Sequence, residues 1–154
     1  MLDDHTSLIE LLGKKLKDND VLEILEDYQI EDVVYDFDRL HENAEDIYWA
    51  SAKSAGFQLR FNQDQVLNTI FCHVVADEGF APISPDIMGA PIYKTFDEAE
   101  VACKNKGLRY STSDPTKGPQ HYKWWLRIES ADYSSHYQFQ DGSIFLITLS
   151  VPKA

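Results

Sequence analysis

Residues 133–151 have the sequence YSSHYQFQDGSIFLITLSV, and this stretch decides the fold. Apolar and polar side chains alternate on both sides of Asp141-Gly142, which is the period expected of a β-strand with one buried face. Asp-Gly is also a dipeptide that favours the tight turn of a β-hairpin. The stretch therefore predicts two antiparallel strands, Tyr133–Gln140 and Ser143–Val151.

The same alternation, together with aromatic and β-branched side chains, predicts six further strands. They are expected at about Asp32–Asp38, Asp46–Ala52, Gly56–Asn62, Gln65–Val75, Leu108–Thr112 and Tyr122–Glu129. Apolar residues at helical spacing between positions 7 and 27, interrupted near Asp18, predict a helix-loop-helix. Another helix is expected at Thr95–Lys106, because Thr95 can cap its first turn and Gly107 can end it. The Gly- and Pro-rich segment Gly79–Pro91 is expected to be a connector.

The two halves of the chain match each other at an offset of 76 to 78 residues. The matched pairs are Leu12-Gly13 with Met88-Gly89, Asp20 with Asp97, Trp49 with Trp125, Leu59–Asn62 with Tyr137–Gln140, and Leu67–Ile70 with Ile144–Ile147. Several matches in one order at nearly one offset indicate an internal duplication. The predicted fold is therefore α+β, with two tandem units of helix-loop-helix plus four-stranded antiparallel sheet, residues 1–77 and 78–154. The sequence leaves open whether the two sheets join into one continuous curved sheet.

This tandem architecture resembles the β-lactamase inhibitory proteins and the small bacterial immunity proteins that neutralise a toxin by capping it. The residues that carry the resemblance are the turns at Leu12-Gly13 and Met88-Gly89, the helix openings at Asp20 and Asp97, and the hairpins ending in Ile70 and Ile147. The resemblance implies a broad open sheet face that grips another protein. It does not extend to a disulfide-stabilised secreted inhibitor, because Cys72 and Cys103 do not occupy equivalent positions in the two halves.

The charge of the chain is strongly acidic and unevenly distributed. The 154 residues carry 14 Lys and Arg against 26 Asp and Glu, a net charge of −12. Residues 1–77 hold 17 acidic and 6 basic side chains, whereas residues 78–154 hold 9 and 8. Such acidity argues against direct binding of nucleic acid or of an anionic membrane. The N-terminus also lacks the basic-then-apolar order of a signal peptide, so we expect a cytoplasmic protein.

Residues 18–46 concentrate the acidity, with 12 acidic side chains and one basic residue, Arg39. This stretch is either a solvated surface that keeps the protein soluble or an electrostatic guide for a basic protein partner, such as a toxin or nuclease. In the second case the expected steering residues are Glu31, Asp32, Asp36, Asp38, Glu42, Glu45 and Asp46.

One face of the predicted sheet carries a set of aromatic, Arg and His side chains. If the helices cover the face with Leu59, Phe61 and Ile70, alternation places this set on the opposite face. The partner-binding residues predicted in this way are Trp49, Arg60, Phe71, His73, Trp125, Arg127 and His136. Aromatic and Arg residues on a partly exposed surface are typical of interface hot spots. The alternative is that the aromatic residues pack in the core and that the arginines only balance surface acids.

No catalytic residue, metal ligand or cofactor site is predicted, because GxGxxG, GxxxxGK[ST], HExxH and GxSxG are all absent from the sequence. Cys72 and His73 are neighbours in a strand and point to opposite faces, so they make a poor nucleophile–base pair. The sequence therefore favours a non-catalytic binding protein of the inhibitor or immunity type. The alternatives are an enzyme or small-molecule-binding domain, with a pocket between the units lined by His73, His136 and Tyr122, and a structural or regulatory domain.

Overall fold

The computed structural model describes residues 7–30, 33–36, 47–76, 79–113, 123–140 and 143–151. Its strands are β1 Val33–Asp36, β2 Ile47–Ala52, β3 Phe57–Phe61, β4 Leu67–His73, β5 Arg109–Thr112, β6 Lys123–Glu129, β7 Ser134–Gln140 and β8 Ser143–Ser150. Its helices are a short 3-10 helix, Leu8–Leu11, and the α-helices α1 Asn19–Asp27, α2 Pro85–Met88 and α3 Phe96–Lys106. This is the mixed helix and antiparallel-sheet architecture expected of an α+β protein.

All eight strands belong to one open antiparallel sheet, in the order β1-β2-β3-β4-β8-β7-β6-β5. The strands of each half pair with their sequence neighbours, and β4 pairs with β8 at the centre of the sheet. At this central pairing, Ile70 lies opposite Leu149 and Cys72 lies opposite Ile147. The question that the sequence left open is therefore answered, because the two groups of four strands form one continuous sheet.

The helix predicted at Thr95–Lys106 is confirmed together with its end signals. The Thr95 hydroxyl accepts a hydrogen bond of 3.1 Å from the backbone N–H of Glu98, and Gly107 ends the helix with φ of 64°. The predicted helix-loop-helix is a 3-10 helix followed by α1, whose N-cap is Asp18. The predicted connector contains α2, which begins with Pro85. The Asp141-Gly142 turn lies outside the described residues.

The helices cover one face of the sheet and form a single core with it. Along β3, Phe57, Leu59 and Phe61 are fully buried, whereas Gln58 and Arg60 between them are only half-buried. Helical residues that pack onto this face are Leu8, Leu11, Val21, Ile24, Met88, Phe96, Ala99 and Cys103. The helices therefore cover the face on which the sequence analysis placed Leu59, Phe61 and Ile70. Within the described part of the chain, no helix is long and apolar enough to cross a membrane.

The sheet carries two register irregularities at matching places. One lies between Arg60 and Phe61 in the pairing of β3 with β4, and the other lies between Gln138 and Phe139 in the pairing of β7 with β8. Each irregularity adds one residue to a central strand. A bulge of this kind increases the local twist and redirects the side chains beside it. We therefore expect the two central strands to bend near their first residues.

Both cysteines are free thiols buried in the core. Burial raises the pKa of the Cys72 thiol and that of the Cys103 thiol, so both remain protonated at neutral pH. Cys72 thus packs as a small apolar residue on the helix-covered face, while His73 points to the other face. The expected poor geometry for a Cys72–His73 pair agrees with this alternation.

Candidate functional site

The sheet face opposite the helices, called the outer face below, carries all seven predicted partner-binding residues. These are Trp49, Arg60, Phe71, His73, Trp125, Arg127 and His136, and each is half-buried. Cross-strand pairing joins them into rows, since Trp49 lies opposite Arg60, and Phe71, Thr148, His136 and Arg127 follow one another across the centre of the sheet. The outer face is therefore one surface to which both halves of the chain contribute.

The first half contributes the Trp49 cluster, which consists of Trp49, Arg60 and Phe71. The rings of Trp49 and Phe71 stack with centroids 6.1 Å apart and an interplanar angle of 28°. The guanidinium carbon of Arg60 lies 5.8 Å from the centroid of the Trp49 ring, within the range of a cation–π interaction. In the described part of the chain, no carboxylate forms an ion pair with Arg60. Arg60 is thus held by an aromatic ring while its charge is not neutralised by a described acid.

The second half contributes the Trp125 cluster, which consists of Trp125, Arg127 and His136. Trp125 stacks on the His136 imidazole with ring centroids 5.3 Å apart. Arg127 lies directly across the strand pair from His136, and its Nε atom donates to Oε1 of Glu129 at 2.5 Å. The Ser134 hydroxyl donates to the other oxygen of Glu129 at 2.6 Å, which fixes the carboxylate. Arg127 is therefore pre-positioned by a hydrogen-bonded acid.

His136 is poised to stay neutral in the folded protein. Burial lowers the pKa of His136 below its ordinary value, and the nearby positive charge of Arg127 lowers it further. A neutral imidazole stacks on the Trp125 ring without adding a second positive charge beside Arg127. Protonation of His136 at low pH therefore destabilises the stacked Trp125 cluster.

The replacement His136→Gln is expected to reduce the loss of stability on acidification. The folded pKa of His136 is below that of the unfolded chain, so the unfolded state binds more protons as the pH falls through about 6.5. The neutral His136 side chain makes its full stabilising contribution above that pH. This contribution is lost as the pH falls through the pKa of His136 in the folded protein. Between about pH 7.5 and about pH 5, the unfolding free energy measured by urea denaturation should fall more for the wild type than for His136→Gln. Parallel curves would contradict the assignment.

His73 lies on the outer face but does not join either cluster. Its ring stacks on the buried ring of Phe80, with centroids 4.2 Å apart and an interplanar angle of 13°. The backbone N–H of Ile83 donates to the carbonyl of His73 at 2.7 Å, which returns the segment after β4 to the end of that strand. Lys53 lies above the same Phe80 ring, 5.9 Å from its centroid. Phe80 therefore covers part of His73.

The pocket alternative depends on three residues, of which the structure describes two and places those two apart. Tyr122 lies outside the described residues. The strands of His73 and His136, β4 and β7, are separated by β8, a width of two strand spacings or about 10 Å, and the two histidines also lie in different cross-strand rows. Their rings pack on different partners, Phe80 and Trp125.

The predicted steering residues fall largely outside the described part of the chain. Six of them lie outside the described residues: Glu31, Asp32, Asp38, Glu42, Glu45 and Asp46. For Asp36 the backbone is described, and it pairs with Ile47 at the end of β1. The described acidic residues of this stretch are on or beside α1, where Asp18, Glu23, Glu26 and Asp27 are exposed. Because α1 packs on the helix-covered face, these carboxylates lie on the opposite side of the sheet from the outer face.

Two residues of the outer face were missed by the sequence analysis. Glu129, which binds Arg127, follows it by two positions in the same strand, a spacing that places both side chains on one face. The contact between Glu129 and Arg127 could therefore have been predicted from the sequence. Phe80 was missed because its contact with His73 depends on the path of the segment after β4, for which the local sequence contains no signal.

Comparison of the chain with protein-family models, with curated proteins and with solved structures finds no match.

Proposed function

We propose that the chain is a non-catalytic protein-binding module of the inhibitor or immunity type, acting in the cytoplasm. It docks its outer face on a basic protein partner, such as a toxin or nuclease, and blocks that partner by occupying or shielding its active site. The observation that carries this proposal is the pair of clusters around Trp49 and Trp125. Trp and Arg are the residues most enriched in binding hot spots.

The clusters are suited to binding because much of their order exists before a partner arrives. Each Trp is half-buried and already stacked on a second ring, Phe71 or His136. Ordering a side chain at an interface costs about 0.5–1.5 kcal/mol, and a side chain that is already fixed avoids much of this cost. Both clusters also stand on strands of one sheet, β2 to β4 and β6 to β7, so their separation is fixed by backbone hydrogen bonds.

The proposal includes two tandem units, residues 1–77 and 78–154, each of which supplies one cluster. The strand order, which is symmetric about the β4–β8 pairing, supports this division. The two register irregularities also support it, because Arg60-Phe61 and Gln138-Phe139 occupy matched positions of the two halves. Trp49 and Trp125 each lie on the second strand of their unit. A duplicated unit would thus present two similar anchors to one partner.

The uneven charge supports a basic partner. The first unit has a net charge of −11, from 17 acidic and 6 basic side chains, and residues 18–46 hold most of it. A surface of one sign accelerates association with a partner of the opposite sign, and added salt removes that acceleration. In this proposal the acidic region draws the partner toward the protein, while the outer face makes the lasting contacts.

Affinity capture from a lysate of the native host is expected to retain a basic protein on the wild type and to lose it with Trp125→Ala. We expect the affinity to fall tenfold or more, the usual effect of truncating a Trp hot spot. Val101→Ala is the matched control, since Val101 is an apolar residue on α3, 55% exposed, and lies outside the outer face. Equal capture of the same protein by wild type and Trp125→Ala would remove Trp125 from the interface. An association rate that is independent of salt would refute the electrostatic guidance.

A further inference from the structure

The outer face differs in charge from the rest of the chain. Among its described side chains, three are cationic, Arg60, Arg109 and Arg127, and one is anionic, Glu129. The whole chain has a net charge of −12. Its described side chains therefore carry a net positive charge inside an acidic protein.

The two arginines of the clusters keep hydrogen-bonding capacity. Arg60 rests on the Trp49 ring and has no ion-pair partner among the described residues. Arg127 uses its Nε atom to bind Glu129, and the structure gives no described partner for its two terminal nitrogen atoms. Guanidinium groups bind carboxylates strongly, often through two parallel hydrogen bonds.

The described surface between the two arginines carries no Asp, Glu, Lys or Arg side chain. Arg60 is on β3 and Arg127 is on β6, and the strands β4, β8 and β7 lie between them. The two arginines are therefore separated across the sheet by four strand spacings, or about 19 Å. The side chains of β4 and β8 on this face are Thr69, Phe71, His73, Leu146, Thr148 and Ser150. An extended peptide advances about 3.4 Å per residue, so about six residues would span this width.

We propose that the outer face recognises a protein segment with two carboxylates, one binding Arg60 and the other binding Arg127 across the centre of that face. This inference rests on the proposed binding function and names the chemistry of its contact surface. The partner's basic surface would respond to the acidic first unit at long range. Its carboxylates would fix its position on the outer face at short range, since local charge pairs set the register of an interface.

The test uses the full chain and the indole N–H signals of its tryptophans in NMR. The probe is a peptide of about 12 Ser, Thr and Gly residues with two glutamates about six positions apart, and the matched peptide has glutamines instead. Trp124 is an internal control, because it packs against Phe96 on the helix-covered face with ring centroids 5.1 Å apart. We expect the glutamate peptide to shift the Trp49 and Trp125 signals saturably and to leave the Trp124 signal unchanged.

Variants then separate the arginines from general charge. Arg60→Gln and Arg127→Gln should each weaken peptide binding at least threefold, and Arg127→Lys, which keeps the charge, should weaken it less. Lys104→Gln makes the same charge change at an exposed position on α3 and should leave binding unaltered.

Three outcomes would overturn the inference. They are equal shifts with the glutamine peptide, the absence of saturable shifts with the glutamate peptide, and stronger shifts with a short oligothymidylate, which would indicate phosphate or base binding instead. The proposed binding function has a separate test. A partner whose capture requires Trp125 but tolerates both Arg→Gln variants would leave that function standing and refute carboxylate recognition.

Discussion

Replacing Gly56 by alanine is expected to destabilise the fold by about 3–4 kcal/mol, whereas the same replacement at Gly107 should cost about 1 kcal/mol. Both glycines have a left-handed backbone, with φ of +85° and +64° respectively. An alanine at either position therefore pays a similar conformational cost. The two sites differ in their surroundings, and that difference accounts for the expected gap.

Gly56 lies in the turn between β2 and β3, directly against the backbone of residues 81–83. A Cβ atom at Gly56 would collide with the carbonyl oxygen of Ala81 and lie 2.6 Å from the nitrogen of Ile83. Backbone atoms cannot rotate away as a side chain can, so the segment has to move. That movement breaks the 2.7 Å hydrogen bond from Ile83 to His73 and releases Phe80 from the His73 ring. A Cβ atom at Gly107 would meet nothing within 4 Å.

Urea denaturation of the wild type, Gly56→Ala and Gly107→Ala measures the two costs directly. The His73 ring signals in NMR give a second readout, because only Gly56→Ala should displace Phe80 from that ring. Equal destabilisation by the two replacements would show that the 81–83 segment does not pack on Gly56. In that case Phe80 would not be held over the His73 ring, and His73 would be more exposed on the outer face.

Local sequence patterns were sufficient to predict the strands and α3. Phe57, Leu59 and Phe61 alternate with polar residues, and burial follows that alternation because a strand with one covered face has period two. Thr95 and Gly107 mark the ends of α3 because each satisfies backbone groups that the helix leaves unpaired. Ser84, Pro85 and Gly89 give similar signals around α2, but the helix is so short that the Gly- and Pro-rich composition pointed to a connector.

The arrangement of the candidate site required information that local patterns do not contain. Alternation assigns Trp125 and Arg127 to one face, but only the docking of the helices decides which face is covered. The stacking of Trp49 on Phe71 depends on the register between β2, β3 and β4, which is set by pairing between distant residues. The sequence could therefore predict which residues share the outer face, while their contacts came from the structure.

Replacing Ile147 by alanine is expected to destabilise the fold by about 3–4 kcal/mol, because the central pairing of the sheet loses part of its buried core. Ile147 is fully buried on β8 and lies opposite Cys72 on one side and Tyr137 on the other. Neighbours held by backbone hydrogen bonds on both sides cannot collapse into the space left by the missing carbons. The β4–β8 pairing joins the two four-stranded groups, so this cavity weakens the connection between the proposed units.

Leu146→Ala is the matched control, since Leu146 is the adjacent residue of β8 and points to the outer face, where it is half-buried. We expect this replacement to cost about 1 kcal/mol, because less apolar surface leaves contact with the protein. Urea denaturation of both variants thus compares the two faces of the sheet at one position along it. Equal costs would mean that the outer face is as well covered as the face beneath the helices, and it would then not be available to a partner.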